Sequence, residues 1–387
     1  MNAIIPRTTI EQDAVCSKPF YSTSSTDPRN LVRHPEVDAL ISAGAAVAIG
    51  VSGGKDSQAA AEATLDHLDA VGHAGPRILI HSDLGMVEWN DSLPACRALA
   101  ARRGVELVVV ARKAGGLMER WERRWELSRQ RYVELSTVTV VPCWSTPDMR
   151  FCTSELKTHV IVAELKRRFK GLPIINVTGI RADESAKRAK QPVATKHKDG
   201  RIWDWRSILR WNVDDVFETI DSSGLAPHPA YRQFGMSRVS CRFCIMSNFR
   251  DLVAAAAQPE AHDLYRRMVA LEAASTFAFQ GARWLGDVAP HLLTPEGLAV
   301  LRDAQRRAAL RVAAEKAVTP EMLYVKGWPT RMLTDDEADI LACVRRQVGE
   351  IMGLAVKHTT RASINDRYAA LLEEKARKER EKARHAS

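Results

Sequence analysis

A six-residue glycine-containing segment between an apolar run and a helical pattern is the feature that most limits how this chain can fold. Residues 46–51 (AVAIGV) have the length and apolar character of a buried strand, and residues 58–65 (QAAAEATL) have the composition of a helix. Residues 52–57 (SGGKDS) lie directly between them. We expect a strand, a tight turn and a helix N-terminus, where backbone N–H groups and the helix dipole favour an anion.

The side chains of this turn suit phosphate binding. The two glycines have no Cβ atom to block a phosphate, the lysine adds a cation, and the two serines add hydroxyl donors. The aspartate is a candidate ligand for Mg²⁺ beside the phosphates. The nucleotide-binding candidates here are Ser52, Gly53, Gly54, Lys55, Asp56 and Ser57. The alternative is an ordinary glycine-rich turn between a strand and a helix.

Two better-known phosphate motifs do not fit the segment. A Walker A loop has glycine where Ile49 stands, and serine or threonine where Asp56 follows the lysine. No G-x-G-x-x-G dinucleotide pattern fits either. A phosphate site here is therefore of a different class.

Apolar runs and helical patterns then alternate, which predicts an α/β fold. Strands are expected at residues 77–81, 106–110 and 173–178, and helices at 91–103, 117–132 and 155–170. This alternation predicts a mostly parallel, twisted sheet with helices on both faces. Ligands bind such sheets at the carboxyl ends of strands. Asp83 and Gly179 follow two of the predicted strands, and we expect both to contact the nucleotide.

The β signals fade after about residue 248. Helices are expected at residues 263–274, 295–317 and 334–349, with N-caps at Thr294 and Thr334. We therefore divide the chain into an irregular lead-in (1–35), a nucleotide-binding domain (36–248) and an α-helical C-terminal region (249–387). Residues 373–384 mix both charges, which is more typical of a solvated helix than of a nucleic-acid grip.

Charge and hydropathy bound the partners and the compartment. The 387 residues carry a formal charge of +9, which favours a polyanionic partner such as nucleic acid. No apolar run approaches the roughly 18 residues that span a bilayer, and the N-terminal residues are polar. We expect a cytoplasmic protein with no membrane partner.

The seven cysteines favour a metal centre over disulfides. Cys16, Cys96 and Cys343 are isolated, and each is expected to be a small buried hydrophobe. The others form two pairs, at residues 143 and 152 and at residues 241 and 244. Two pairs can supply four thiolates to one zinc ion or one iron–sulfur cluster, and the spacing does not separate these metals. The metal candidates are Cys143, Cys152, Cys241 and Cys244.

The SGGKDS segment resembles the PP-loop of ATP pyrophosphatases, which cleave ATP between the α- and β-phosphates. Within that superfamily, residues 40–250 most resemble the branch of phosphoadenosine phosphosulfate (PAPS) reductases and DNA phosphorothioation ATPases. The segment Arg150-Phe151-Cys152-Thr153, followed by Leu156-Lys157, is similar to the R-x-C-T…L-K segment of the phosphorothioation branch. The resemblance implies a HUP-type fold, as in adenine nucleotide α-hydrolases. It also implies a [4Fe–4S] cluster on the four cysteines, with zinc as the alternative.

Two further segments support the resemblance. Residues 179–188 (GIRADESAKR) are similar to the family's G-x-R-x-x-E-S…R segment, which borders the nucleotide and the substrate. The resemblance thus implies nucleotide contacts from Gly179 and Arg181, and catalytic roles for Lys55, Asp56 and Arg181. His228-Pro229-Ala230-Tyr231 is similar to the family's N-P-L-Y stretch. In this segment of the chain, Pro229 and Tyr231 are expected to shape a loop, and a catalytic role for His228 is disfavoured.

The expected activity is an ATP-dependent adenylation. ATP and Mg²⁺ would yield AMP and pyrophosphate, the acceptor would receive sulfur, and nucleic acid and a sulfur-donor protein are candidate partners. The first alternative is a PAPS or adenosine phosphosulfate reductase that forms sulfite. That chemistry needs a C-terminal Glu-Cys-Gly-Leu-type segment, which this chain lacks. The second alternative is a non-catalytic nucleotide-binding assembly protein.

Overall fold

The structure is a computed structural model that describes residues 31–386, with side chains to residue 384. Most of the predicted lead-in, including Cys16, lies outside the described residues. The first described helix, α1, spans Pro35–Ser42 and has proline in its first turn. That position suits proline because the N–H it lacks would have no partner inside the helix.

Six strands form one sheet in the order β3-β2-β1-β4-β6-β5. All neighbouring strands are parallel except β5, which runs antiparallel to β6. The chain builds outward from β1 on one side through β2 and β3, and then places β4 on the other side of β1. The strand order therefore switches between β1 and β4, which is where ligands bind in such sheets. The strands are β1 (Ala46–Gly50), β2 (Arg77–Asp83), β3 (Glu106–Ala111), β4 (Ile174–Val177), β5 (Ala194–Lys196) and β6 (Ile202–Trp205).

Alternate residues of β1 serve two separate cores. Val47 and Ile49 pack with the apolar face of one helical layer, and Ala46 and Ala48 pack with the other. All four side chains are fully buried, as expected for a central strand with both faces covered. This arrangement confirms the predicted α/β sheet with helices on both faces.

The helices of the sheet region are α2 (Lys55–Ala70), α3 (Ser92–Arg103), α4 (Leu117–Val133), α5 (Phe151–Thr153), α6 (His159–Arg168), α7 (Ala186–Ala189), α8 (Val213–Ser223) and α9 (Pro229–Arg232). Helices α2, α3 and α8 pack on one face of the sheet, and α6 packs on the other. A π-helical turn, Ser154–Thr158, joins α5 to α6. The helix expected at residues 155–170 therefore begins within this π-helical turn and ends at Arg168.

The C-terminal region is helical, as predicted. Its helices are α10 (Phe249–Ala256), α11 (His262–Ser275), α12 (Pro295–Glu315), α13 (Asp335–Met352) and α14 (Arg361–Ala386). Thr294 and Thr334 accept the expected capping hydrogen bonds, from the N–H groups of Gly297 and Glu337. Within the described residues, no helix is long and apolar enough to cross a bilayer.

The C-terminal helices share a core with the sheet region. One apolar cluster contains Trp121 and Trp125 of α4 together with Tyr265 of α11 and Val344 of α13. Arg345, fully buried on α13, donates hydrogen bonds to the carbonyls of Tyr132, Val133, Lys357 and His358 at 2.6–3.1 Å. The C-terminal helices thus pack against the predicted nucleotide-binding domain, and the division at residue 248 stays a prediction.

Candidate nucleotide and thiol site

The turn between β1 and α2 is held by its own glycine and serine residues. Gly53 has a positive φ of 75°, and a Cβ atom there would lie 2.8 Å from the Ser92 carbonyl oxygen. The Ser57 hydroxyl accepts the Ser52 N–H at 3.1 Å and donates to the Gly54 carbonyl at 2.8 Å. Helix α2 starts at Lys55 with no side-chain cap on Gly54. The turn and helix start have the geometry that the sequence predicts, and an anion site on the first N–H groups stays a prediction.

Tyr231 contacts this helix start from a distant part of the chain. Its hydroxyl accepts the Lys55 N–H at 3.0 Å, and the Lys55 ammonium lies 5.3 Å from the centre of its ring. Burial raises the pKa of Tyr231, so the phenol stays neutral. The loop role expected for Tyr231 therefore includes a direct contact with the phosphate-site helix.

A chain of charges connects the turn to the loop after β4. One oxygen of Asp56 is 3.0 Å from the Lys55 ammonium, and the other accepts a hydrogen bond of 2.5 Å from Arg181 Nε. Arg181 is only 4% exposed and also pairs with Asp183. Burial lowers the pKa of Arg181, but Asp56 and Asp183 outweigh it and raise that pKa. The two predicted cations are thus fixed at the turn.

Gly179 allows the loop after β4 to lie directly on α2. A Cβ atom at this position would be 2.5 Å from the Asp56 carbonyl oxygen and 2.8 Å from the Ser57 nitrogen. Ordinary contacts are about 3.4 Å or longer. Only glycine fits, and its small size brings Arg181 within reach of Asp56.

Three cavities open around the turn. The smallest, about 190 Å³, includes Ser52, Gly54, Glu88, Lys157 and Cys241 in its wall. A second, of about 330 Å³, lies at the carboxyl ends of β1, β2 and β4, between apolar side chains that include those of Val51, Ile80, Ile161, Val162 and Ile180. The largest, about 920 Å³, contains Lys55, Asp56, Arg181 and Tyr231 in its wall. The turn is the common border of the three.

The π-helical turn places Lys157 in this site. The Ser82 hydroxyl at the end of β2 donates a hydrogen bond to the Leu156 carbonyl within that turn. π-Helical turns inside α-helices are frequently found at functional sites. Lys157 lines both smaller cavities, and its charge offsets part of the rise that burial causes in the pKa of the Cys241 thiol. Its side chain is a third cation of the site.

Electrostatic interactions connect three of the four predicted metal cysteines. Burial raises the pKa of Cys241, and Cys244, Glu88 and Cys152 raise it further through their charge. Cys143 is fully buried beside Trp144, where burial raises its thiol pKa to about 12, and the groups acting most on it are Ser275, Arg124 and Glu272.

The four cysteines differ in their relation to the cavities around the turn. Of the four predicted ligands, Cys241 alone lines one of the three cavities around the turn. Within the described residues, no group of three or more Cys, His, Asp or Glu is arranged to hold a metal ion. The four-cysteine centre, as [4Fe–4S] or zinc, stays a prediction. Mg²⁺ needs only one or two carboxylates beside nucleotide phosphates. Asp56 would supply one of them by giving up its contacts with Lys55 and Arg181.

The loop of the last cysteine pair is fastened from two sides. The Arg242 N–H donates to the Val87 carbonyl at 2.8 Å, and the Arg242 guanidinium donates to Asn90 Oδ1 at 2.6 Å. On the C-terminal side, the Gln280 amide lies 2.8–3.2 Å from the carbonyl oxygens of Cys244, Ile245 and Ser247. The C-terminal region therefore takes part in holding the thiols.

Residues 46–247 match the profile of the phosphoadenosine phosphosulfate reductase domain. The chain belongs to this family. The match confirms the resemblance to the PAPS reductase branch of the PP-loop superfamily. A curated relative, the uncharacterized 37.8 kDa protein in the gpa 5′ region of Escherichia phage 186, is 34% identical over 110 residues. That alignment covers 27% of this chain and 32% of the phage protein, so the chain spans about a third of the length of the relative it matches.

Two solved structures also match. The PAPS reductase from Candida auris, in a phosphate complex, is 13% identical with a TM-score of 0.36, over 56% of this chain and 88% of that one. The U34-tRNA thiolase NcsA from Methanococcus maripaludis, with its [4Fe–4S] cluster, is 15% identical with a TM-score of 0.35. That match covers 69% of this chain and 73% of the thiolase.

Asp83 and His228 of this PAPS reductase domain both form local hydrogen bonds. Asp83 accepts a hydrogen bond from the Gly85 N–H at 2.7 Å and lines none of the three cavities around the turn. His228 is 1% exposed, and its Nδ1 accepts the Ala230 N–H at 3.1 Å. Burial lowers the pKa of His228, so its ring is a neutral helix cap, consistent with the disfavoured catalytic role.

The isolated cysteines have different environments. Cys96 is buried, as predicted, but Cys343 is exposed. The prediction for Cys343 was wrong because the buried stripe of α13 contains Leu341, Ala342 and Val344, and residue 343 lies on the opposite side. Its apolar sequence neighbours therefore belong to another face of the helix.

Glu88 is a site residue that the sequence did not reveal. Its carboxylate is 3.0 Å from Nε2 of the buried His81, whose Nδ1 is 3.0 Å from the Val51 carbonyl oxygen. Burial would lower the pKa of His81, but hydrogen bonds with Cys96 and Glu88 raise it to about 10. The His81 imidazole thus holds the Glu88 carboxylate by a hydrogen bond on the wall of the smallest cavity. The sequence signal that could have revealed Glu88 is its position, as a polar residue shortly after the end of β2.

Proposed function

We propose that this protein binds ATP at residues 52–57 and cleaves it between the α- and β-phosphates to adenylate an acceptor. One observation carries the proposal: the turn, with Lys55, Asp56 and Arg181, lies at the sheet's switch point between an apolar cavity and a basic one. ATP has the matching parts, a flat base with low charge and a triphosphate tail.

The apolar cavity suits the adenosine moiety. Its volume of about 330 Å³ is at the lower end of the range for small-ligand pockets. Ile161 and Val162 of α6 and Ile80 of β2 provide surfaces for a base. Thr178 also lines this cavity, and its buried hydroxyl has no hydrogen-bond partner in the described protein, which leaves a polar group for the base edge or the ribose.

The charged residues suit the chemical step. An electron pair of the acceptor attacks the α-phosphorus, the bond from that phosphorus to the bridging oxygen breaks, and pyrophosphate leaves with the bonding electrons. Lys55, Arg181 and the α2 N-terminus would neutralise the charge that develops on the departing pyrophosphate. Mg²⁺, held in part by Asp56, would supply further neutralisation when bound.

Sulfur transfer is the second part of the proposal. A sulfur-donor protein would supply a sulfur nucleophile, which displaces AMP from the adenylated acceptor. The thiol of Cys241 lines the smallest cavity beside the turn, and together with Cys143, Cys152 and Cys244 it would hold a [4Fe–4S] centre there. Lys157 and Glu88 set the charge around Cys241. Nucleic acid is the candidate acceptor, because the formal charge of +9 favours a polyanionic partner.

Product analysis tests the adenylation. The protein is incubated with α-labelled ATP and Mg²⁺, with and without nucleic acid, and the products are separated. We expect AMP and pyrophosphate from wild type, a loss of roughly 100-fold or more in Lys55→Met, and wild-type rates in the exposed control Lys170→Met. ADP and phosphate as products would contradict the proposal.

The same protein also distinguishes the other two activities. Sulfite formed from PAPS with thioredoxin would establish a reductase instead. Tight ATP binding without turnover under any condition would indicate a non-catalytic nucleotide-binding protein.

A further inference from the structure

The largest cavity has more basic side chains than a triphosphate requires. Seven basic and three acidic residues line its volume of about 920 Å³. Asp56 is already paired with Lys55 and Arg181, and Glu184 is paired with Arg188. Two of the three acidic residues are therefore already neutralised, and the third, Asp148, forms no ion pair with any residue that the structure describes.

Three other cations of the wall have no such partner, and two of them, Arg150 and Arg238, also line the smallest cavity beside the turn. Arg150, Lys187 and Arg238 form no ion pair with any residue that the structure describes. Arg150 and Lys187 are also exposed to solvent. Unpaired cations that converge on one cavity attract a ligand with several negative charges.

Exposed apolar side chains accompany these cations. Met149 lies between two residues of the cavity wall and is 53% exposed, and Met246, itself in the wall, is 43% exposed. Phe249 starts α10 three residues after Met246 and is 51% exposed. The Arg283 guanidinium lies 5.5 Å from the centre of the Phe249 ring. The cation contact fixes the ring, and half of its surface remains available for stacking.

We propose that this face binds single-stranded nucleic acid, with phosphates on Arg150, Lys187 and Arg238 and an unpaired base on Phe249. Cationic grooves with exposed aromatic rings are typical of proteins that bind single strands with little sequence preference. An acidic peptide would use the cations but gain little from the ring, and a duplex keeps its bases stacked inside. The proposal rests on the proposed function in one respect: a strand on this face would present its acceptor atom to the turn.

Fluorescence anisotropy with labelled 12-nucleotide single strands of DNA and RNA tests the proposal on the full chain. We expect binding that weakens as salt rises. Single strands release counterions with a slope of about −0.7 in log affinity against log salt for each phosphate contact. The triple variant Arg150→Ala, Lys187→Ala and Arg238→Ala should therefore flatten the slope by about 2. Phe249→Ala should weaken binding roughly 10-fold with the slope unchanged.

A matched control removes the same charge elsewhere. The triple variant Arg302→Ala, Arg306→Ala and Lys316→Ala changes exposed residues of α12 and its end, and it should bind like wild type. Equal losses in both triple variants would show a general charge effect and overturn the proposal. Tighter binding of duplex, or of an acidic peptide of equal charge, would overturn the single-strand assignment.

The two proposals fail separately. ATP cleavage without oligonucleotide binding at low salt would overturn this surface and leave the adenylation intact. Oligonucleotide binding with the expected variant pattern but without any ATP cleavage would support the surface and overturn the proposed function.

Discussion

Adding one methyl group at Gly179 should separate the two elements that form the site. The new Cβ atom would meet the carbonyl oxygen and carbon of Asp56 at 2.5 and 2.6 Å and the Ser57 nitrogen at 2.8 Å. All three are backbone atoms, so no side-chain rotation relieves the contact. The loop after β4 must move away from α2 by about 0.9 Å to reach an ordinary contact of 3.4 Å.

This shift has a calculable cost. Overpacking of this kind costs about 1–3 kcal/mol, which for a chain of this size lowers Tm by a few degrees. The same movement carries Arg181 away from Asp56, and a misplacement of about 1 Å at a reacting centre can reduce the rate roughly 100-fold. We therefore expect Gly179→Ala to fold with a lower Tm and to cleave ATP roughly 100-fold more slowly.

Two other glycines serve as controls for Gly179→Ala. At Gly54 a Cβ atom would meet its nearest neighbours, the Ser52 and Tyr231 hydroxyls, at 3.5 Å, so Gly54→Ala should keep its Tm and lose ATP affinity. Gly297, in the first turn of α12, has comparable space, and Gly297→Ala should change neither property. Thermal unfolding and ATP cleavage are measured on all three variants. Wild-type stability and activity in Gly179→Ala would refute the argument from close approach.

Three further predictions concern the support of the site. Arg345→Met should lower the free energy of unfolding by about 3 kcal/mol in denaturant titrations, because four carbonyls lose the charged donor of a fully buried side chain. Burial raises the pKa of Glu272 to about 7, so its stabilising effect is full below pH 4.5 and is lost as pH rises through 7. The Tm difference between wild type and Glu272→Gln should therefore be larger at pH 5 than at pH 8, and a constant difference would contradict this pKa. Gln280→Leu should free the cysteine loop and increase the alkylation rate of Cys244 several-fold, as followed by mass spectrometry, whereas Gln305→Leu on α12 should leave that rate unchanged.

The features predicted correctly from the sequence are those that depend on neighbours in the chain. The strand before Ser52, the helix after Gly54 and the caps at Thr294 and Thr334 are set by local patterns, and the structure confirms them. The short strands β5 and β6 were not predicted, because Lys196 and Asp204 interrupt the apolar pattern on which strand assignment depends.

The rest of the site depends on residues distant in sequence. The contact of Tyr231 with Lys55 joins positions 176 residues apart, and no local pattern predicts its geometry. The surroundings of Cys143 include the tryptophans of α4 and Ser275, which belong to other parts of the chain. The π-helical turn that directs Lys157 depends on a hydrogen bond from Ser82, and it too requires the folded sheet.

The most direct measurement of the central claim is a crystal structure of the protein soaked with Mg²⁺ and α,β-methylene-ATP, an analogue whose α–β bridge resists cleavage. We predict the triphosphate on the N–H groups of residues 53–57, with Lys55 and Arg181 on its oxygens and the adenine between Ile80 and Ile161. A triphosphate bound elsewhere, or no nucleotide at the turn at saturating concentration, would contradict the account.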